Sequence, residues 1–315
     1  MGLIDIIVAV LLDFAIGDPH WFPHPVIYIG KLISCLEEKG RKHFKSNNGL
    51  KILGGLIVLT IIIISFGIPL LILWMAKDKF WIYHILNIII LWTTLAAKSL
   101  KIEGKRVYYA LKHEDIQDAR KKLSYIVGRD TNELTKEDII RADIETIMEN
   151  TADGIIAPLF YAMIGGAPLA MMYKGVNTMD SMLGYMNDKY INLGFFPAKV
   201  DDIFNFIPAR ISGALICLSA PIVNGSIIRS FKIMIRDRKN HKSPNCAYPE
   251  GAAAGAMDIQ IGGTNVYFGE IVYKPTIGDK IKSLHYEFIN NSIKLMYTSE
   301  MLMVLIYAFI VISIV

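Results

Sequence analysis

The sequence predicts an all-α polytopic membrane protein, with several transmembrane or re-entrant helices and cytoplasmic helical loops that carry the site. Three observations lead there. Hydrophobic residues make up 53% of the chain, only 20% of residues are charged, and the mean hydropathy is +0.39. That is too apolar for a soluble domain and too charged for a chain made only of spans. Long uncharged runs also alternate with basic stretches, as expected of spans joined by cytoplasmic loops. The net charge of +4 is mild and local, so nucleic acid is not an expected partner. Cys35, Cys217 and Cys246 are widely separated, with no CxxC or Cys/His spacing. Neither a zinc site nor a disulfide framework is expected.

Leu3 to Ile16 is apolar but short, and Asp5 and Asp13 interrupt it. It reads as a short span or an interfacial helix, and it lacks the basic n-region of a signal peptide. Gly17-Asp18-Pro19-His20-Trp21-Phe22-Pro23-His24-Pro25 follows, with three prolines in seven residues. Those prolines forbid a regular helix, so His20 and His24 suit hydrogen bonding or substrate contact better than metal ligation. Lys31 to Lys51 carries six basic residues against Glu37 and Glu38 and reads as a cytoplasmic loop. Residues 52–97 read as a transmembrane hairpin: Ile52 to Met75 exceeds the roughly 20 residues needed to cross about 30 Å, and Phe80 to Ala97 returns. Residues 98–153 read as a cytoplasmic helical region with a turn at Gly128 to Thr131, where Arg129 suits contact with an anion.

The organising stretch is Thr135 to Tyr161, TKEDIIRADIETIMENTADGIIAPLFY. Thr135 and Asp138 have capping-box spacing, so a helix starts at Lys136. Ile140, Ile144, Ile147 and Met148 give it one apolar face. Arg141, Glu145 and Glu149 form a second stripe, with Asn150 and Asp153 near its end. Asp153-Gly154 breaks the pattern before an uncharged run, Ile155 to Met172. Carboxylates beside a low-dielectric segment are costly unless paired or bound to a cation. An Arg141 pair accounts for Glu145 but not for Glu149, Asn150 and Asp153 together. All-oxygen ligands suit a hard cation such as Mg2+.

Residues 154–228 read as membrane segments holding a polar motif loop. Gly165-Gly166-Ala167-Pro168 marks a break within a crossing or the tip of a re-entrant hairpin. Asn177, Asp180, Ser181 and Gly184 share one helical face. Asp201, Asp202 and Asn205 precede a span opening near Pro208. Arg210, in its first turn, opposes the helix dipole and calls for a partner such as Asp201, Asp202 or a phosphate. Residues 229–298 read as a cytoplasmic loop, since Arg229 to Lys242 carries six basic residues against Asp237. Within it, the small residues after Pro249-Glu250 suit either an anion at a helix start or close packing on a neighbour. Thr264 to Tyr273 reads as a β-ribbon or loop. Residues 299–315 form a last membrane segment.

Five motifs then stand in order: GDPHWFPHPVIYIG, ENTADGIIAPLFY, NTMDSMLGY, DDIFNFIPAR, and SPNCAYPEGAAAGAMDIQIGG with NVYFGE. Together they resemble the CobD/CbiB family, adenosylcobinamide-phosphate synthases of cobalamin biosynthesis, from residue 17 to residue 270. The resemblance implies a multi-pass cell-membrane enzyme, a carbon–nitrogen ligase. It would join adenosylcobyric acid to aminopropanol phosphate or a related amino alcohol, with ATP as cosubstrate and Mg2+ as cofactor. On that basis Glu149, Asp153 and Asp180 are the expected catalytic residues. Glu149, Asp153 and Asp202 are the expected Mg2+ ligands. Substrate contacts are expected from Asp18, His24, Asn150, Asn177, Ser181, Asp202, Arg210, Asn245 and Glu250. Membrane lipids, a second copy of the chain and other corrinoid-pathway enzymes are the expected partners, and ATP places the site on the cytoplasmic side. Two rivals are a Mg2+-dependent membrane phosphotransferase and a transporter. The transporter is disfavoured because no inverted repeat is visible and polar residues gather at span ends.

Overall fold

A computed structural model describes residues 2–19, 21–267 and 270–314. The protein is an all-α polytopic membrane protein with one small ribbon. Among the described residues, five helical stretches are long and apolar enough to cross a membrane: Asn47–Ala76, Phe80–Lys112, Lys136–Leu183, Phe206–Val223 and Glu287–Ile314. The chain divides into two compact units, Met1–Ala96 with Ala157–Asn205, and Ala97–Ile156 with Phe206–Val315.

The first unit opens with α1 (Gly2–Ala15), α2 (Pro25–His43), α3 (Asn47–Ala76) and α4 (Phe80–Trp92). Asp5 is buried in α1 because α4 supplies partners: His84 Nδ1 lies 2.8 Å from Oδ1, and Asn87 Nδ2 donates to Oδ2 at 2.6 Å. Pro25 is the first residue of α2, where its missing N–H costs nothing. His24 caps the helix, its Nδ1 accepting from Val26 N at 3.3 Å. Ser46 caps α3 by accepting from Gly49 N. The hairpin turn is confined to residues 77–79, as its spacing predicts. The second arm is shorter than predicted, ending at Trp92 rather than Ala97. There Thr93 and Thr94 donate to the carbonyls of Ile90 and Leu91, so the terminal acceptors are satisfied locally.

The second unit begins with α5 (Ala97–Lys112), α6 (Ile116–Leu123) and α7 (Lys136–Thr151). The capping box is present: Asp138 N donates to Thr135 Oγ1 and Thr135 N to Asp138 Oδ2. Asp153-Gly154 does not end the helix as predicted. It lies in one π-helical turn, Ala152–Ile156, that widens the helix and leads into the apolar run.

The first unit resumes with α8 (Ala157–Leu183) and α9 (Phe195–Phe204). The predicted break is a kink in α8, where Gly166 has φ of 67°, a region open to glycine. Ile33 of α2, Ile57 and Ile61 of α3, and Val176 and Met179 of α8 form one apolar core. The second unit closes with α10 (Phe206–Ser219), α11 (Ile227–Asp237), α12 (Ala247–Met257), β1 (Gln260–Tyr267), β2 (Glu270–Gly278) and α13 (Glu287–Ile314). The strands pair antiparallel, with an irregularity between Gly262 and Thr264.

Helix α12 starts two residues before the predicted Pro249. Its small residues serve close packing on α11: Ser230 Oγ donates to Ala252 O at 2.5 Å, and a Cβ on Gly255 would meet Ser230 Cα at 2.7 Å. The basic run on α11 is partly neutralised. Arg229 Nε lies 3.0 Å from Asp258, and Arg236 bonds Asp237 and Asp279 at 2.8 Å each.

One prediction compares two glycines of α3. A Cβ on Gly54 would collide with the Leu193 carbonyl oxygen, whereas one on Gly67 meets nothing within 4 Å. Gly54→Ala should therefore cost about 1–3 kcal/mol and lower the thermal midpoint in detergent. Gly67→Ala should leave it unchanged or slightly raised. Equal midpoints would contradict this packing.

Candidate active site

The stripe predicted on α7 borders a polar cavity of about 180 Å3 in the second unit. Arg129, Glu145, Glu149, Asn150, His241 and Glu250 line it. At roughly 30 Å3 per water, that is room for about six waters, or for one phosphoryl, carboxylate or ammonium end of a larger substrate.

Glu145 is the anchor of this wall. Arg129 NH2 donates to its Oε2 at 2.6 Å, and Gly262 N, on β1, donates to Oε1 at 2.8 Å. The predicted partner Arg141 is secondary, with Nε 4.0 Å from Glu145 and NH2 bonded to Asp138 at 2.7 Å. The Arg129 and Glu145 side chains are only 7% and 6% exposed, so this is a buried pair. Its charges cancel within the cavity wall.

One turn on, Glu149 Oε1 accepts from the Cys246 thiol at 3.2 Å. Burial, then the carboxylates of Glu149, Asp153 and Glu250, push that thiol well above its usual range. Cys246 is therefore a neutral donor. Glu250 is buried in the first turn of α12, where the helix dipole favours a carboxylate. His241 Nδ1 accepts from Ser243 N at 3.0 Å, which leaves the proton of a neutral imidazole on Nε2.

Arg210 has no carboxylate partner among the described residues, so of the partners its position suggests neither Asp201 nor Asp202 pairs with it. Its guanidinium carbon lies 3.5 Å from the Phe206 ring centroid and 4.4 Å from that of Tyr248, and NH1 is 3.4 Å from Asn245 Oδ1. Two aromatic faces flank the guanidinium.

The remaining expected residues lie in the first unit. Asp180, Asn177 and Ser181 are on α8, and Asp202 is on α9 beside Asp201. Asp201 is buried and accepts from Asn205 Nδ2 at 3.0 Å, while Asn205 Oδ1 accepts from Tyr173. Burial, then the neighbouring Asp180 carboxylate, push Asp201 up to about 8 against the hydrogen bonds of Asn205 and Asn177. Asp202 lies 3.8 Å from Lys199 Nζ. Asp18 and His24 meet, with Oδ1 3.5 Å from Nε2. His20, and Phe268 and Gly269 of the last motif, lie outside the described residues.

The structure thus brings Glu149, Asn150 and Glu250 to one cavity, with Asp153 four residues beyond Glu149 in the π-helical turn; in the first unit Asp180, Asn177 and Asp202 act on Asp201. Glu145, Cys246 and His241 were not among the expected site residues, and Arg129 was singled out only as an anion contact. Among the described residues no three His, Cys, Asp or Glu side chains are preformed as a metal cage. Mg2+ is commonly held by one or two carboxylates plus substrate phosphates. The carboxylates of Glu149 and Asp153, four residues apart on one continuous helical stretch, supply oxygen donors of that kind.

Removing one member of the buried pair strands the other. Arg129→Ala should cost about 3–5 kcal/mol of stability, whereas Arg129→Met with Glu145→Met should cost less than either single change. Thermal unfolding of the three variants in detergent checks this. A double variant as unstable as the sum of the singles would contradict it.

The family model for the CobD/Cbib protein matches residues 6–296. A Cobalamin biosynthesis protein CobD of Clostridium tetani is 84% identical over 313 residues, covering 99% of each chain. The protein of that name from Clostridium acetobutylicum is 63% identical, covering 98% of each. Cobalamin biosynthesis protein CbiB of Salmonella typhi is 43% identical, covering 94% of this chain and 93% of its own. No solved structure matches. Motifs, family match and relatives agree along nearly the whole length, and the chain belongs to the CobD/CbiB family.

Proposed function

We propose that this protein is the amide-forming ligase of cobalamin biosynthesis. It joins the propionate carboxylate of adenosylcobyric acid to the amine of aminopropanol phosphate or a related amino alcohol, at the cytoplasmic face and with ATP. The names of the relatives support the pathway. The observation that carries the chemistry is the polar cavity. Once Arg129 cancels Glu145, Glu149 and Glu250 leave it an acidic surplus. That surplus favours an ammonium group or a cation-bound phosphate and repels a bare anion.

A carboxylate is a poor acyl donor, so activation precedes amide formation. The corrinoid carboxylate oxygen attacks the terminal phosphorus of ATP, ADP leaves, and an acyl phosphate forms. The amine nitrogen then attacks the acyl carbon, the carbon–oxygen bond to phosphate breaks, and inorganic phosphate departs. The nitrogen gives up a proton, for which Glu149 and Glu250 are the acceptors in the cavity. When bound, Mg2+ would be held by Glu149 and Asp153 and would screen the phosphate oxygens. Asn150 donates to the nucleotide, Arg210 meets a phosphate between its two rings, and Asn245 orients Arg210. Glu145 and Arg129 act by holding the wall rigid. Asp180, Asn177, Ser181 and Asp202 form the second polar group, with Asp202 as its cation ligand, and Asp18 with His24 contacts the corrinoid.

The test is turnover by the detergent-purified protein supplied with adenosylcobyric acid, aminopropanol phosphate and Mg-ATP, with corrinoid mass read by mass spectrometry. The expected product is heavier by one condensed amino alcohol phosphate and forms only with ATP. Glu149→Gln should lower the rate by about 10²-fold or more while folding and corrinoid binding survive. Full activity in that variant would refute its assignment. An unchanged corrinoid across several amino alcohols would refute the ligase.

A further inference from the structure

A second cavity, of about 430 Å3, lies in the second unit and plays no part in the chemistry above. Lys101 and Lys105 of α5 and Lys294 of α13 line it. The first two are four residues apart and so share a helix face. Among the described residues none of the three forms an ion pair, and the contacts of Lys101 and Lys105 are aromatic. Lys101 Nζ lies 5.4 Å from the Tyr297 ring centroid and Lys105 Nζ 4.8 Å from that of Tyr108.

One carboxylate, Glu287, shares the lining. It is already engaged, accepting from Tyr108 OH at 2.7 Å and Asn290 Nδ2 at 2.9 Å. Three ammonium groups against one carboxylate leave a surplus of two positive charges. Like charges gathered around one cavity repel, and a bound anion offsets that cost. A phosphate monoester carries about −1.5 to −2 at neutral pH, and a phosphodiester supplies the same oxygen acceptors with one charge. Beyond this cavity α13 continues into a run that carries no charge after Glu300. Lysines beside the apolar part of a span, with a tyrosine among them, suit the headgroup level of a bilayer.

We propose that Lys101, Lys105 and Lys294 form a binding site for a phosphate-bearing anion, either a phospholipid headgroup or a soluble phosphate. The cavity supplies ammonium donors on two helices, with Tyr297 at its wall. The assignment is independent of the ligase reading, because it rests on lysines that reading does not use.

The full-length protein in detergent tests it with two probes. Native mass spectrometry follows retention of phosphatidylglycerol against phosphatidylcholine, and calorimetry follows inorganic phosphate. At least one anionic probe should bind, and the triple variant Lys101→Gln, Lys105→Gln, Lys294→Gln should weaken it about tenfold or more. The matching triple Arg variant should retain it. Lys105→Gln alone, a milder change that preserves the fold, should weaken the same probe measurably. Lysine-dependent retention of phosphatidylglycerol identifies a lipid headgroup as the ligand, and lysine-dependent binding of phosphate without it identifies a soluble one. Binding of both probes that is unchanged by the Gln variants, or binding of neither by the unaltered protein, overturns the proposal.

Discussion

The Glu145 carboxylate is the point on which the candidate active site depends. It faces the guanidinium of Arg129, from a turn 16 residues earlier, and the backbone N–H of Gly262, 117 residues later. A turn, a helix and a strand are thereby fixed to one pair of oxygens. Desolvating two charges is expensive, and their attraction alone returns little net stability. What the arrangement does provide is position. With Glu145 held on both oxygens, the next turn of α7 presents Glu149 and Asn150 to the cavity, and α12 brings Glu250 to the same space.

Several charged groups in an apolar setting are held by specific partners. Asp5 is held by His84 and Asn87. Asp201 is held by Asn205, which Tyr173 holds in turn. Arg236 and Asp237 brace the end of β2, where Asp237 Oδ2 accepts from Gly278 N at 2.7 Å. Each of these groups is tied down by hydrogen-bond donors or by an opposite charge, as a low-dielectric environment demands. Against that background, the acidic cavity at Glu149 and the basic one at Lys105 are places where surplus charge of one sign is left open. That surplus is the physical basis for reading them as binding sites.

Much of the fold was legible in the residues. Thr135 and Asp138 announced the start of α7, Gly165-Gly166 the kink in α8, and the short polar stretch after Ala76 the hairpin. These are local signals, decided by capping, backbone freedom and hydropathy. The pairing of Glu145 was not legible, because periodicity along α7 offers Arg141 and cannot see a turn packed against it. Nor was Cys246, whose contact with Glu149 spans 97 residues. His241 lies in a basic run that reads as a membrane marker, and nothing in its spacing separates it from its neighbours. The π-helical turn at Asp153-Gly154 was read as a break, since a widened helix and an interrupted one carry the same polar pair in an apolar context. Arg210 was given Asp201, Asp202 or a phosphate as partner because its charge demanded compensation, and sequence spacing gave no sign that Phe206 and Tyr248 would flank it.

The most direct measurement is to map where the terminal phosphate of ATP lands. The full-length protein in detergent would be irradiated with a photoreactive group linked to the γ-phosphate of ATP, with labelled peptides identified by mass spectrometry. The account predicts saturable labelling, abolished by excess Mg-ATP, on the segments that build the cavity: residues 126–150 and 241–250. Saturable, ATP-competed labelling confined to other parts of the chain would contradict it and move the chemistry away from Glu149.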